Sequence, residues 1–253
     1  MMRGPTRASR DKPLAYSGSP AKVKNILVVA VGMDGKADTP NQRNHWDKAY
    51  QSSADFFGHE SSEFGMGAMR TFVANGAKKI MELGCGQGRD TIHFLKHGLE
   101  VIAFDYSEAC VNQLQERAKK MGLEKNLTVI LHDLRKGIPL PDESVDACFS
   151  HMFFTMHLSE KELAFIFKEC HRVLKHGGIN IYSVRNVNDP HYKKGVHHGE
   201  DLWENQMGFV VHFFSLEKVQ RLAVGYDLLY TKEFDDTSPP FTKKLYEVVL
   251  LKP

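Results

Sequence analysis

The stretch Met81-Glu82-Leu83-Gly84-Cys85-Gly86-Gln87-Gly88-Arg89-Asp90 restricts the fold more than any other part of the chain. Three glycines at alternate positions follow the apolar, strand-like run Lys79 to Leu83, and without Cβ atoms such a turn lets the backbone approach a ligand closely. A second apolar run, Val101-Ile102-Ala103-Phe104, ends in Asp105, roughly 20 residues beyond the first glycine. A carboxylate at that position accepts the ribose hydroxyls of a nucleoside held over the first strand. Strand, glycine turn, helix, strand and acid predict an open α/β sheet with a nucleoside at its strand ends.

Two ligand classes use this arrangement. A dinucleotide fold takes G-x-G-x-x-G/A, its backbone N–H groups turned toward a pyrophosphate. Here Arg89 holds the last position of that pattern, the third glycine comes one residue early at Gly88, and Glu82 makes the loop acidic on entry. A nucleoside without phosphates suits this loop better. Taken alone, the glycines also suit a plain tight turn between strand and helix.

The E-x-G-x-G-x-G run resembles the first motif of the class I S-adenosylmethionine-dependent methyltransferases, and further stretches match that family in order. Leu127 to Leu134 reads as a strand ending at His132-Asp133, Ser144 to Ser150 as the next strand, and Glu169 to Tyr182 as a helix, a Gly-Gly turn and a fifth strand. The resemblance implies a Rossmann-like α/β fold: a mostly parallel seven-stranded sheet with an antiparallel last strand and helices on both faces. It implies S-adenosyl-L-methionine as cofactor. Glu82, Gly84, Cys85, Gly86 and Gly88 would lie along its methionine and ribose part, Asp105 and the adjacent Tyr106 at the ribose, Asp133 and Leu134 at the adenine, and Ser150 at the strand rim near the sulfur. The G-C-G-Q-G-R loop is shared with tellurite-resistance and thiol methyltransferases, a small-molecule subgroup. The resemblance covers roughly residues 44 to 224.

The rest of the chain fits around this centre. Expected elements are a helical cap over 40–75, strands near 79–83, 100–105, 127–132, 145–150 and 178–184, and helices near 88–97, 108–121, 160–174 and 215–223. Two final strands follow, Tyr226 to Phe234 and Leu245 to Leu251. Ser107 is a candidate N-cap, and Ser159-Glu160-Lys161-Glu162 has the spacing of a capping box. Alternating strands and helices imply a parallel sheet covered on both faces. In the cap, Trp46 and Tyr50 stand one helical turn apart, as a core-packing face or as a clamp on substrate. Residues 186–211 form an irregular insert that leaves the fifth strand at the ligand rim and is expected to act as a lid.

Of 253 residues, 42% are apolar and 25% charged, with a net charge of +2, so there is no basic excess of the kind nucleic acid demands. The six basic residues before Asn25 are offset only by Asp11, giving a +5 tail and a −3 remainder. Residues 1–32 are expected to be a disordered basic tail with a short apolar segment, ahead of a methyltransferase domain over 33–253. Ile26 to Val31 is too short to span a membrane. It reads as a weak secretory signal, as an extra packing segment, or as an extension upstream of a true start at Met33, and the latter two are favoured. Cys85, Cys110, Cys148 and Cys170 show no C-x-x-C spacing, which suits reduced thiols in a cytoplasmic enzyme. His191, His197, His198 and His212 have no metal-site spacing, and no metal is expected.

A sulfonium methyl donor is already activated, so the protein's tasks are alignment and exclusion of water. A soft nucleophile such as a thiol or metalloid oxyanion attacks without a strong base. An oxygen or nitrogen acceptor, on protein, RNA or metabolite, needs one, and His151 at the fourth strand's end is the candidate. Arg185, ending the fifth strand, would bind an anionic substrate or form a structural ion pair. A nucleic-acid amino methyltransferase would carry an N-P-P-Y-like run where Ser150-His151-Met152-Phe153-Phe154 stands. The expected partner is a small-molecule methyl acceptor, with neither nucleic acid nor membrane. A nicotinamide-dependent dehydrogenase is disfavoured by Arg89, and a cofactor-binding regulator without catalysis is the alternative outside enzymes.

Overall fold

Apolar side chains on both faces of successive strands drive a sheet buried between two helical layers. In the computed structural model, residues 40–53, 56–238 and 241–253 are described; the tail, the run Ile26 to Val31 and Met33 lie outside them. The chain runs α1 (Pro40–Ser52), α2 (Glu63–Ala74), β1 (Lys79–Leu83), α3 (Arg89–Lys96), β2 (Glu100–Asp105), α4 (Glu108–Lys120), β3 (Leu127–Leu131), β4 (Val145–His151), α5 (Glu160–Val173) and β5 (Leu174–Arg185). It continues through β6 (Val196–His197), β7 (Leu202–Glu204), β8 (Val210–His212), α6 (Leu216–Leu222), β9 (Asp227–Asp236) and β10 (Lys243–Leu251).

The seven-stranded sheet has the order β3-β2-β1-β4-β5-β10-β9. Strands β1 to β5 pair in parallel, and β10 runs antiparallel to both neighbours. This is the Rossmann-like sheet expected from the sequence. The chain reverses its order of strand addition between β1 and β4, and the loops after them open a crevice at the strand ends, where open α/β sheets bind ligands.

Alternation divides the core. Met81, Leu83, Cys148, Tyr182 and Val184 pack with Ile166 and Phe167 of α5 and Val219 of α6. Ile80, Val101, Phe149 and Ile181 pack on the other face with Phe72, Phe94 and Leu114 from α2, α3 and α4. Such period-two alternation is what a strand covered on both sides requires. The helix starts use the expected devices. Ser107 Oγ accepts from the Cys110 N–H, and Ser159 forms a full capping box with Glu162. The four cysteines are buried and unbridged.

The insert is more ordered than expected. Strands β6, β7 and β8 form their own antiparallel sheet. With two or three residues each, they are too short to show a periodic pattern in sequence. A polar cluster centred on buried Lys218 and His212 fastens this sheet to the body. Lys218 Nζ of α6 lies 2.7 Å from Asp201, 3.3 Å from Glu160 and 2.7 Å from His212 Nε2. Glu160, Asp201 and His212 converge closely enough to hold a cation, and the ammonium is the cation among them. Burial, reinforced by that ammonium, pushes the His212 pKa down to about 4.

Candidate functional site

The loop after β1 is a cradle that only glycine fits. Gly84, Gly86 and Gly88 all have positive φ, at 68°, 52° and 79°. A Cβ on Gly84 would stand 2.9 Å from the Phe153 ring, one on Gly86 3.4 Å from Tyr50 Oη, and one on Gly88 2.2 Å from Leu114. The first two contacts come from the cavity side. Phe153 follows Met152, whose φ of 62° is unusual for a side-chain-bearing residue and turns the chain sharply after β4.

Asp105, buried at the end of β2, fixes the loop from the other side. One carboxylate oxygen accepts the Gly86 N–H and the other the Ser107 N–H, both at 2.9 Å. Each oxygen keeps acceptor capacity for a further donor. Burial pushes its pKa up to about 6, against the two backbone N–H bonds that favour the carboxylate. Glu82 is buried as well and accepts from Thr91 Oγ1 at 2.6 Å, and burial likewise raises its pKa. Cys85 is buried in the same loop, its thiol pKa raised by burial.

These groups border a cavity of about 580 Å³, which Tyr106, Asp133, Leu134, His151 and Arg185 also line. That volume lies within the roughly 300–1,000 Å³ usual for small-molecule sites. Ser150 is fully buried at 0% exposure and is absent from the lining, its hydroxyl enclosed without a hydrogen-bond partner. Asp133 is half-buried and engaged by its neighbour, since Arg135 Nε and Nη2 donate to its two oxygens at 2.9 and 2.8 Å.

His151 Nδ1 lies 2.6 Å from Ser183 Oγ, which also accepts the Met152 N–H, and the ring stacks on Phe64 at 5.2 Å. Burial drives its pKa down to about 4, so the imidazole is neutral at physiological pH. Arg185 donates through Nε and Nη2 to both oxygens of buried Asp189, and lies over the rings of Phe213 and Phe241. Charged groups of both signs line the cavity: Glu82, Asp105 and the Asp133–Arg135 pair follow β1, β2 and β3, while Arg89 with Asp90 beside it, Arg185 and Lys243 come from the start of α3, the end of β5 and the start of β10.

The cap and the insert meet as a roof. Gln42 Nε2 donates to the Gly208 carbonyl at 2.7 Å, and its Oε1 accepts the Val210 N–H. Trp46 lies 4.5 Å from Phe209 and stacks on Tyr50 at 5.5 Å, and all three rings line the cavity. Gln87, inside the glycine loop, pins the cap from below: it donates to the Ser53 carbonyl and to Gln113, and accepts the Phe56 N–H. Sequence reasoning missed Gln42, Gln87 and Lys243. Gln42 and Gln87 act across long sequence separations; neither Gln42 nor Lys243 lies in a local motif, and the G-C-G-Q-G-R loop that contains Gln87 does not disclose its partners.

Comparison with known proteins agrees with this fold. A methyltransferase domain model matches residues 80–178. A probable S-adenosyl-L-methionine-dependent methyltransferase TehB of Haemophilus influenzae is 28% identical over 137 residues, 52% of this chain and 45% of the relative. A probable S-adenosylmethionine-dependent methyltransferase of Mycolicibacterium smegmatis is 25% identical, over 64% of this chain and 54% of the relative. The chain therefore spans about half the length of these relatives. Among solved structures, a Burkholderia thailandensis 1,6-didemethyltoxoflavin-N1-methyltransferase superposes with a TM-score of 0.65 at 16% identity, covering 87% of this chain and 93% of that one. Strand order, glycine loop and the methyltransferase-domain match over residues 80–178 give this chain the fold of the class I S-adenosylmethionine-dependent methyltransferases.

Proposed function

We propose that the chain transfers a methyl group from S-adenosylmethionine to a small-molecule acceptor. The observation that carries this reading is the roofed cavity: the cap and the insert close over the strand ends, leaving room for a small molecule beside the cofactor. No helix among the described residues is long and apolar enough to cross a membrane.

The residues fit the cofactor on their own chemistry. The glycine cradle brings backbone close to the cavity, and Asp105 has spare acceptor capacity for a ribose diol. Glu82 and Tyr106 would border the same end, and Asp133 and Leu134 the adenine. Asp133 would do so with its carboxylate already shared with Arg135. Ser150 supports the rim from behind. When bound, S-adenosylmethionine supplies a methyl group activated by its positive sulfur. The protein's share is orientation and dryness: Trp46, Tyr50, Phe153 and Phe209 exclude water, and the β4 and β5 ends hold the acceptor.

His151 decides the acceptor class. Its Nδ1 is occupied by Ser183, which leaves Nε2 to act on a proton, and its low pKa keeps it unprotonated. With a nitrogen or oxygen acceptor, His151→Gln is expected to lower kcat about 100-fold or more. With a thiol or other soft nucleophile, kcat changes less than about threefold. The decisive experiment is calorimetry with S-adenosylmethionine followed by a methyl-transfer screen over thiols, metalloid oxyanions, amines and carboxylates. Cofactor binding with transfer to none of them would replace catalysis with a regulatory role; no cofactor binding would overturn the reading.

A further inference from the structure

Resting on the reading that the acceptor sits at the β4–β5 rim, we propose that this acceptor carries an oxyanion group, carboxylate or phosphate, held by Arg89, Arg185 and Lys243. These cations come from three separate elements, the start of α3, the end of β5 and the start of β10, yet line one cavity. The carboxylates that balance Arg185 and Lys243, Asp189 and Asp236, are absent from the lining and stand behind them. Asp189 is spent on Arg185 and on the His191 and Lys244 N–H groups. Asp90 does line the cavity near Arg89, but it accepts from Ser61 Oγ and from the Ser62 N–H and hydroxyl.

Both guanidinium groups keep donors to spare. Arg185 uses Nε and Nη2, and Arg89 uses Nη1 toward the Phe57 carbonyl at 3.0 Å. Arg185 Nη1 and Arg89 Nη2 make no hydrogen bond among the described residues. Lys243 Nζ is held by contacts of 3.0 to 3.3 Å to Asp236, Ser238 and Phe241, and contributes as a point charge. Phe241 lies between two of the cations, 5.6 Å from the Arg185 guanidinium carbon and 5.4 Å from Lys243 Nζ. Burial lowers the Lys243 pKa, and repulsion from Arg185 and Arg89 adds to it while Asp236 opposes it, so the three charges share one low-dielectric space. His151 is neutral there and brings no compensating charge. An anion would relieve the mutual repulsion and accept the open guanidinium N–H groups.

The test is calorimetry of the full chain saturated with S-adenosylhomocysteine, titrated with benzoate, with benzamide as its uncharged counterpart, and with inorganic phosphate. Benzoate or phosphate is expected to bind at least about tenfold more tightly than benzamide, and the tighter of the two identifies the oxyanion. Arg89→Gln and Lys243→Gln should each weaken that anion about tenfold, with S-adenosylhomocysteine affinity unchanged and Lys243→Arg restoring binding. Melting curves establish that each variant is folded, and Arg89→Gln remains informative if the Lys243 variants are not. Neither benzoate nor phosphate binding more tightly than benzamide, or anion affinity indifferent to both charge removals, would overturn the proposal. Failure of S-adenosylhomocysteine to bind would overturn the functional reading separately.

Discussion

Asp105→Ala is expected to weaken S-adenosylmethionine binding by about 100-fold or more, because hydrogen bonds to a charged acceptor contribute about 1.5–3 kcal/mol each. The variant removes the anchor of the Gly86 N–H and, on the proposed reading, an acceptor for the ribose diol, so the cradle would loosen as its ligand contact disappears. Asp105→Asn separates these effects, since it keeps the shape and loses the charge. The pH dependence gives a sharper signature. An unfolded carboxyl titrates near 4, at about 3.9, whereas burial lifts Asp105 in the folded protein to about 6. Between those values the folded state holds a proton that the unfolded state has lost. The group's contribution to stability therefore falls as pH rises from about 4 to about 6. A diol donating to the carboxylate favours its ionised form, so cofactor affinity should rise by up to about tenfold between pH 5 and pH 7, with proton release at the lower pH. Calorimetry across that range in buffers of different ionisation heat measures both. Affinity that is flat in the wild type, or equally pH-dependent in Asp105→Asn, would exclude this role for Asp105.

The loop and acid were legible in sequence because their constraint is local. Positive φ at alternate positions needs glycine, and the acid must end the adjacent strand. The strand order followed from alternation of elements and the resemblance built on it. What sequence could not give was mostly closure at a distance. Gln42 bonds across 166 residues to Gly208, and Gln87 across 34 to Ser53, so neither has a recognisable neighbour pattern. Trp46 and Tyr50, for which the sequence allows either core packing or a clamp on substrate, stack on one another and line the cavity. Ser150 was placed correctly along its strand, but a strand's side chains alternate, and its own points away from the cavity that His151 borders. The Lys243 charge was invisible because the final hairpin shows in sequence only as two apolar runs.

Arg185→Met is expected to destabilise the protein by about 3–5 kcal/mol, since it leaves Asp189 as a buried charge without its partner. For a chain of this size that corresponds to a melting temperature lower by roughly 10 °C. The carboxyl of Asp189 is 0% exposed. Burial alone would raise its pKa, but the hydrogen bonds and charge of Arg185 outweigh that and hold it below the usual carboxylate range. The pair's contribution is therefore present at neutral pH and lost as pH falls below about 4. Arg185→Lys keeps the charge and forfeits the two-pronged geometry, so it should recover about half of the loss. Removing both partners, as Arg185→Met with Asp189→Asn, should be less harmful than Arg185→Met alone, because no unpaired charge stays buried. A destabilised Arg185→Met whose defect persists unchanged in that double variant would place the cost in lost packing against Phe213 and Phe241 instead of in the ion pair. Arg185 can meet both demands because its fork divides: Nε and Nη2 hold Asp189 at the end of β5, while Nη1 makes no hydrogen bond among the described residues and, in a residue that lines the cavity, is left for the proposed anionic acceptor.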